Sequence, residues 1–255
     1  MKTNTVKQAL RAGQLQLGTA FQQLRSQDVA RILAAAGFDW AFLDAEHGGF
    51  GRETLQDLCQ MSTRVGLSPI VRVAELSYAL IARALDCGAE GVIFPRVEDP
   101  RLLEEAVSWT KYPPAGVRGM GLTPIHVDFE PVSAAQMMEH YNREQMVVLQ
   151  IETLRAIEAR EELLSVAGVD TVMIGPLDLS ISLGVPGEFE HPKMLAAVEQ
   201  IVASCLAHGV VPGAHARSVA LARRWREMGL LFVSCSSETG MLFDAARSTA
   251  SAVKA

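Results

Sequence analysis

The chain has 255 residues, 49% of them hydrophobic, and a formal net charge of −6. That length can hold one large α/β domain, and the composition excludes a disordered chain. The acidic balance, with no basic block and no aromatic-basic interleaving, excludes nucleic acid as the expected partner.

The N-terminus, "MKTNTVKQALRAGQLQLG", has no apolar leader, and no apolar run is long enough to span a bilayer. A cytoplasmic protein with no membrane partner is expected. The first strand-like run is "LQLGTA" at 15–20. Ser26 then caps a helical stripe of Val29, Ile32, Leu33 and Ala36, stopped by Gly37. "WAFLD" at 40–44 is the second strand, followed by a helix over 52–65 with Leu55, Leu58 and Cys59 on one face. "PIVRV" at 69–73 precedes a helix over 76–87, and "GVIFP" at 91–95 precedes a helix opened by Asp99-Pro100. About 50 residues, including the Pro- and Gly-rich "KYPPAGVRGMGLTP", separate this fourth strand from "MVVLQIE" at 146–152. Connections this long are often lids or oligomer contacts. "TVMIG" at 171–175, a helix over 194–207, "VVPGAH" at 210–215, a helix over 217–228 and "LFVSC" at 231–235 complete the series.

The eight strands are nearly continuous apolar runs, as parallel strands covered on both faces must be. Their alternation with helices predicts a single (β/α)8 TIM barrel over 1–255. A doubly wound open sheet is the alternative, weakened by the absence of G-x-G-x-x-G after the first strand. Cys59, Cys87, Cys205 and Cys235 form no C-x-x-C pair and read as buried free thiols of a reducing compartment.

Barrel chemistry gathers at the C-terminal ends of the strands, and here those ends are polar. The second strand supplies Asp44, Glu46 and His47, and the third Arg72; the fifth ends in Gln150 and Glu152. The sixth runs into "GPLDLS" with Asp178, and the seventh ends at His215. Glu152 and Asp178 come from adjacent strands and could share a hard cation such as Mg2+ or Mn2+, or each could cap a helix. Arg72 in an apolar strand needs an acid, Asp44 or Glu46, or an anionic ligand. None of the five lysines lies on a strand, which removes a Schiff-base route and leaves metal-assisted enolate chemistry.

From about residue 15 to 240, "AAAGFDWAFLDAEHG", "VRV", "ALDCGAEGVIFPRVE", "KYPPAGVRGMG", "QIET" and "GVDTVMIGPLDLSISLG" resemble, in order and spacing, the HpcH/HpaI aldolase family. These are metal-dependent class II pyruvate aldolases related to the citrate lyase β-subunit. The resemblance implies Glu152 and Asp178 as ligands of a divalent cation, Mg2+ or Mn2+ with Co2+ a further candidate, and no organic cofactor. It implies Arg72 on the keto or enolate oxygen, His47 as catalytic base and Asp86 of "LDCG" as its orienting partner. Gln150 with the backbone of Gly175, Pro176 and Leu177 would hold a 2-oxo acid. Asp44 and Glu46 would be charge partners of Arg72 or groups behind the ligands. The implied reaction cleaves or forms a 4-hydroxy-2-oxo acid from pyruvate and an aldehyde through a metal-stabilised enolate. A condensing, citrate-synthase-like enzyme and a non-catalytic 2-oxo-acid-binding barrel are the alternatives. A homo-oligomer, a hexamer by family resemblance, is expected, with 239–254 a candidate swapped helix. Leu177 stands where the family commonly has alanine, and "LTPIHVDFEP", with His126 and Asp128, replaces an arginine-containing segment beside the aldehyde, so acceptor specificity is open.

Overall fold

The computed structural model describes residues 1–255. Eight parallel strands close into a barrel in chain order. They are β1 (Gln16–Phe21), β2 (Trp40–Asp44), β3 (Ser68–Arg72), β4 (Gly91–Phe94), β5 (Met146–Ile151), β6 (Thr171–Ile174), β7 (Gly213–Ala216) and β8 (Phe232–Ser237). The helices are α1 (Thr5–Arg11), α2 (Gln27–Ala35), α3 (Arg52–Arg64), α4 (Tyr78–Asp86), α5 (Pro100–Ser108), α6 (Ala134–Glu144), α7 (Leu154–Glu158), α8 (Arg160–Ser165), α9 (Pro176–Ser182), α10 (Pro192–Ala207), α11 (Val219–Glu227) and α12 (Glu238–Lys254). β8 pairs with β1 to close the ring, so no strand edge is left open. The fold is the single TIM barrel the alternation predicts, and the open sheet is excluded.

Ser26 and Asp99 cap α2 and α5 as their positions predict, accepting the N–H of Asp28 at 3.2 Å and of Arg101 at 2.9 Å. The seventh strand starts later than its apolar run, at Gly213 rather than 210. Pro212 has no N–H to give a ladder and instead accepts Leu231 N through its carbonyl at 2.9 Å, while Val211 makes only an isolated bridge to Thr171.

Two apolar layers hold the barrel. The larger lies between strands and helices, with Leu58, Ile81, Leu103, Ile201 and Trp225 fully buried in it. The smaller fills the barrel, with Trp40, Phe42, Ile70, Ile93, Val148, Met173 and Phe232. Trp40 and Phe232 stack there at 3.9 Å between ring centroids. Val6 and Leu10 of α1, an element the strand pattern does not announce, enter the same cluster and close the barrel at the strand beginnings. The long β4–β5 connection carries α5, a 3-10 turn at Pro124–Val127 and α6.

α12 lays little of itself on its own barrel. Only Glu238 is buried, and Leu242 and Phe243 are exposed. Glu238 anchors its start, Oε1 accepting the backbone N–H groups of Gln22, Gln23 and Leu24 at 2.6–3.0 Å. Beside it runs a groove of about 650 Å3 lined by Leu15, Leu17, Phe38, Val219 and Ala222. No helix is long and apolar enough to cross a membrane, and all four cysteines are free.

Candidate active site

The period of two that fills the barrel also builds its polar end. Trp40 and Phe42 belong to the inner apolar cluster, and two residues on is Asp44. Ile70 leads in the same way to Arg72, Val148 to Gln150 and Glu152, and Met173 to Gly175.

Asp44 and Arg72 are register partners across β2 and β3. Arg72 Nε donates to Asp44 Oδ1 at 3.0 Å and Nη2 to Oδ2 at 2.6 Å, a fork on a carboxylate. Glu46 Oε2 lies 3.1 Å from the same Nε, and the guanidinium sits 5.0 Å over the Phe42 ring. Arg72 is thus paired with both acids its apolar surroundings call for, and Nη1 makes no hydrogen bond. Burial alone would raise the Asp44 carboxyl, but the Arg72 hydrogen bonds and charge outweigh it and hold the group below the ordinary carboxylate value.

Asp44 also shapes the turn that carries His47. Its Oδ1 accepts the N–H of Glu46 at 3.1 Å and of His47 at 3.2 Å, and its Oδ2 accepts Gln22 Nε2 at 3.0 Å. A side chain at Gly48 would collide with the Asp44 carbonyl, so the turn needs glycine there. The His47 ring is 68% exposed, with Nε2 3.8 Å from Glu46 Oε1.

His47, Arg72, Gln150, Gly175, Pro176, Leu177 and Asp178 line one cavity of about 380 Å3 at the C-terminal ends of the strands. Glu152 is 3% exposed. Its Oε1 accepts the N–H of Arg96 at 2.9 Å, and its Oε2 accepts Gln150 Nε2. Burial pushes the Glu152 carboxyl up; the hydrogen bonds from Gln150 and Arg96 oppose this, and the negative charge of Asp178 adds to the rise. A buried carboxyl repelled by a second acid is short of positive charge. Glu152 and Asp178 offer oxygen donors only, the chemistry a hard divalent cation prefers, and no group of three His, Cys, Asp or Glu stands together to enclose an ion. Gly175 is part of this cradle, because a Cβ there would lie 2.6 Å from Glu152 Oε2. Gln150 Oε1 is buried without a partner.

Asp86 is not brought to His47 within the chain. It ends α4, on the return toward the beginning of β4, and pairs with fully buried Arg118 at 2.6 Å. Arg118 also donates to Gln145 Oε1 at 2.8 Å and lies over the Tyr112 ring. The histidine beside Asp86 is His126, whose Nε2 lies 2.9 Å from the Asp86 carbonyl oxygen. His126 and Asp128 share a different pocket with Met1, Gly88 and Glu144, so this connection does not line the catalytic cavity of its own chain.

Several cavity residues went unread in the sequence. Gln22 follows β1, and Arg217, Ser236 and Ser237 follow or end β7 and β8; Arg96, after β4 at φ +54, serves the site only through its N–H to Glu152. Their signal was position just past a strand end, which a loop residue shares.

A family model described as HpcH/HpaI aldolase/citrate lyase matches residues 18–245. A 4-hydroxy-2-oxo-heptane-1,7-dioate aldolase of Escherichia coli is 35% identical, over 97% of this chain and 94% of its own. The crystal structure of an HpcH/HpaI aldolase from Desulfitobacterium hafniense DCB-2 superimposes with a TM-score of 0.93 at 33% identity, covering 99% of this chain and 97% of the other. That of the citrate synthase SbnG superimposes with 0.86 at 27% identity, covering 97% and 96%.

Proposed function

Because the chain belongs to the HpcH/HpaI aldolase/citrate lyase family, we propose that its cavity cleaves a 4-hydroxy-2-oxo diacid of the heptane-1,7-dioate kind to pyruvate and succinic semialdehyde. The enzyme is a class II pyruvate aldolase. The observation that carries the reading is the convergence of His47, Arg72, Gln150 and Asp178 on one cavity, with Glu152 buried behind it.

Glu152 and Asp178 would hold the divalent cation, Mg2+ or Mn2+, with Co2+ a further candidate. When bound, the cation supplies Lewis-acid polarisation of the keto group. Gln150 and the backbone around Gly175 and Leu177 bind the 2-oxo acid end. His47 takes the proton of the 4-hydroxyl, and the C3–C4 bond breaks as the aldehyde carbonyl forms. The bonding pair passes into the enolate of pyruvate, whose oxygen faces Arg72. Return of a proton to C3 completes pyruvate, so the proton lost from the hydroxyl is balanced. Asp44 and Glu46 keep the Arg72 guanidinium fixed throughout. Glu46, rather than Asp86, is the acid beside His47 in this chain.

The exposed face of α12 and the neighbouring groove support a homo-oligomer in which this helix is exchanged between copies, a hexamer by the family pattern. The four free thiols fit a cytoplasmic enzyme. The structural similarity to a citrate synthase supports one second reading, condensation of an acyl-CoA enolate with the keto carbon of a 2-oxo acid followed by hydrolysis of the thioester; offering oxaloacetate with an acyl-CoA would then release free CoA. For the aldolase reading, His47→Ala lowers kcat by about 10^2 to 10^4-fold while pyruvate still binds. An unchanged rate would take the histidine out of the mechanism.

A further inference from the structure

The keto-acid end of the substrate uses the sector of the cavity formed by β3, β5 and β6. The β7–β8 sector has no role yet, and it carries His215 and Arg217. His215 Nδ1 lies 2.9 Å from Ser234 Oγ, and its ring meets Phe42 edge-on at 5.9 Å. Burial pushes its pKa down to about 4, with the charges of Arg217 and Arg72 adding to the fall, so the imidazole is neutral at pH 7. In the tautomer in which the Ser234 hydroxyl donates to Nδ1, Nε2 carries the proton and is a donor with no protein partner.

Arg217 follows β7 directly. Two arginines line the cavity, and they differ in what they pair with. Arg72 is neutralised by Asp44 and Glu46. Arg217 has no acid within ion-pair distance, and the nearby Asp244 is paired with Arg247 at 2.9 Å. An unpaired guanidinium on a polar wall is a planar two-pronged site for a carboxylate, and a neutral N–H beside it can serve the same anion without adding a buried charge.

We propose that Arg217 and His215 form the acceptor subsite, and that it selects aldehydes bearing a terminal carboxylate. Arg217 pairs with that carboxylate and His215 Nε2 donates to it or to the adjoining chain. This rests on the aldolase reading and adds to it the residues that read the far end of the substrate. Both come from the end of β7, whereas the "LTPIHVDFEP" connection lies elsewhere in the chain.

The test compares aldol addition of pyruvate to succinic semialdehyde and to butanal, which has the same four-carbon chain without the charge, in the Mn2+-loaded wild type, Arg217→Gln and Arg217→Lys. The expected result is a fall of roughly tenfold or more in the ratio of the two kcat/KM values in Arg217→Gln, carried by KM for the semialdehyde, with partial recovery in Arg217→Lys. Equal losses for both aldehydes, an unchanged ratio, or a loss accompanied by a change of oligomeric state in light scattering would overturn it. Exchange of the pyruvate methyl protons with solvent deuterium in the wild type reports on the aldolase reading separately. Exchange with an unaltered ratio sinks the subsite alone, and no exchange sinks both.

Discussion

At the scale of single residues, the site is a set of charges whose neighbours decide their state. Arg72 would be costly in a barrel interior by itself, and Asp44 and Glu46 remove that cost while leaving Nη1 free. His215 shows the opposite device, a titratable group kept neutral by burial. The unfolded chain binds a proton near pH 6.5 that the folded site refuses until about pH 4. His215 therefore removes up to about 3 kcal/mol of stability as pH falls from 6.5 toward 4, and nothing further below. Urea denaturation at pH 7 and pH 4.5 should show a smaller acid-induced loss in His215→Leu than in the wild type. An equal loss in both would mean that His215 does not titrate as described. Most of the polar residues were legible because a charge in a run such as "IVRV" breaks an apolar pattern. The partner of Asp86 within the chain was not legible, because family spacing gives a place in the chain but not the neighbour in space; that neighbour is Arg118, distant in sequence. Arg217 was hidden for another reason, since an arginine just past a strand is ordinary on any protein surface.

At the scale of elements, strand parity does most of the positioning. The same faces that carry Trp40, Ile70, Val148 and Met173 into the barrel carry Asp44, Arg72, Gln150 and Gly175 to its end. A one-residue slip would turn each of these outward. Gly175 couples this geometry to the proposed ligand pair, since it directly follows β6 and lies against Glu152. Gly175→Ala should displace the Glu152 carboxylate and weaken Mn2+ binding in calorimetric titration, while the barrel still folds; unaltered affinity would show that the close approach is not needed. Seven of the strands were legible to within a residue or two because buried parallel strands are apolar throughout. β7 was misplaced at its start because Pro212, which has no N–H, interrupts the apolar run and leaves Val211 as an isolated bridge before the strand proper. α1 escaped notice because its short sequence shows only Val6 and Leu10 as apolar contacts, and their partners lie on strands far along the chain.

At the scale of the whole molecule, the barrel is closed and filled except along one flank. There α12 stands with Leu242 and Phe243 exposed beside an apolar groove of about 650 Å3. Contiguous apolar surface of this kind is usually covered by a partner. Exchange of α12 between copies would cover both surfaces, so Phe243→Asp should lower the molar mass seen by light scattering, and an unchanged assembly would argue against the exchange. The helix was legible as a segment, but its separation from its own barrel depends on the absence of tertiary contacts that no local pattern records. In the proposed mechanism a divalent cation held by Glu152 and Asp178 assists the breaking of the C3–C4 bond. The most direct test of this mechanism is pyruvate release from 4-hydroxy-2-oxo-heptane-1,7-dioate by the purified enzyme before and after treatment with EDTA. Equimolar pyruvate and succinic semialdehyde are expected, with loss of turnover in the chelator and recovery with Mn2+ or Mg2+ in the wild type but not in Glu152→Ala. Turnover that persists in the chelator, or recovery in Glu152→Ala equal to the wild type, would contradict it.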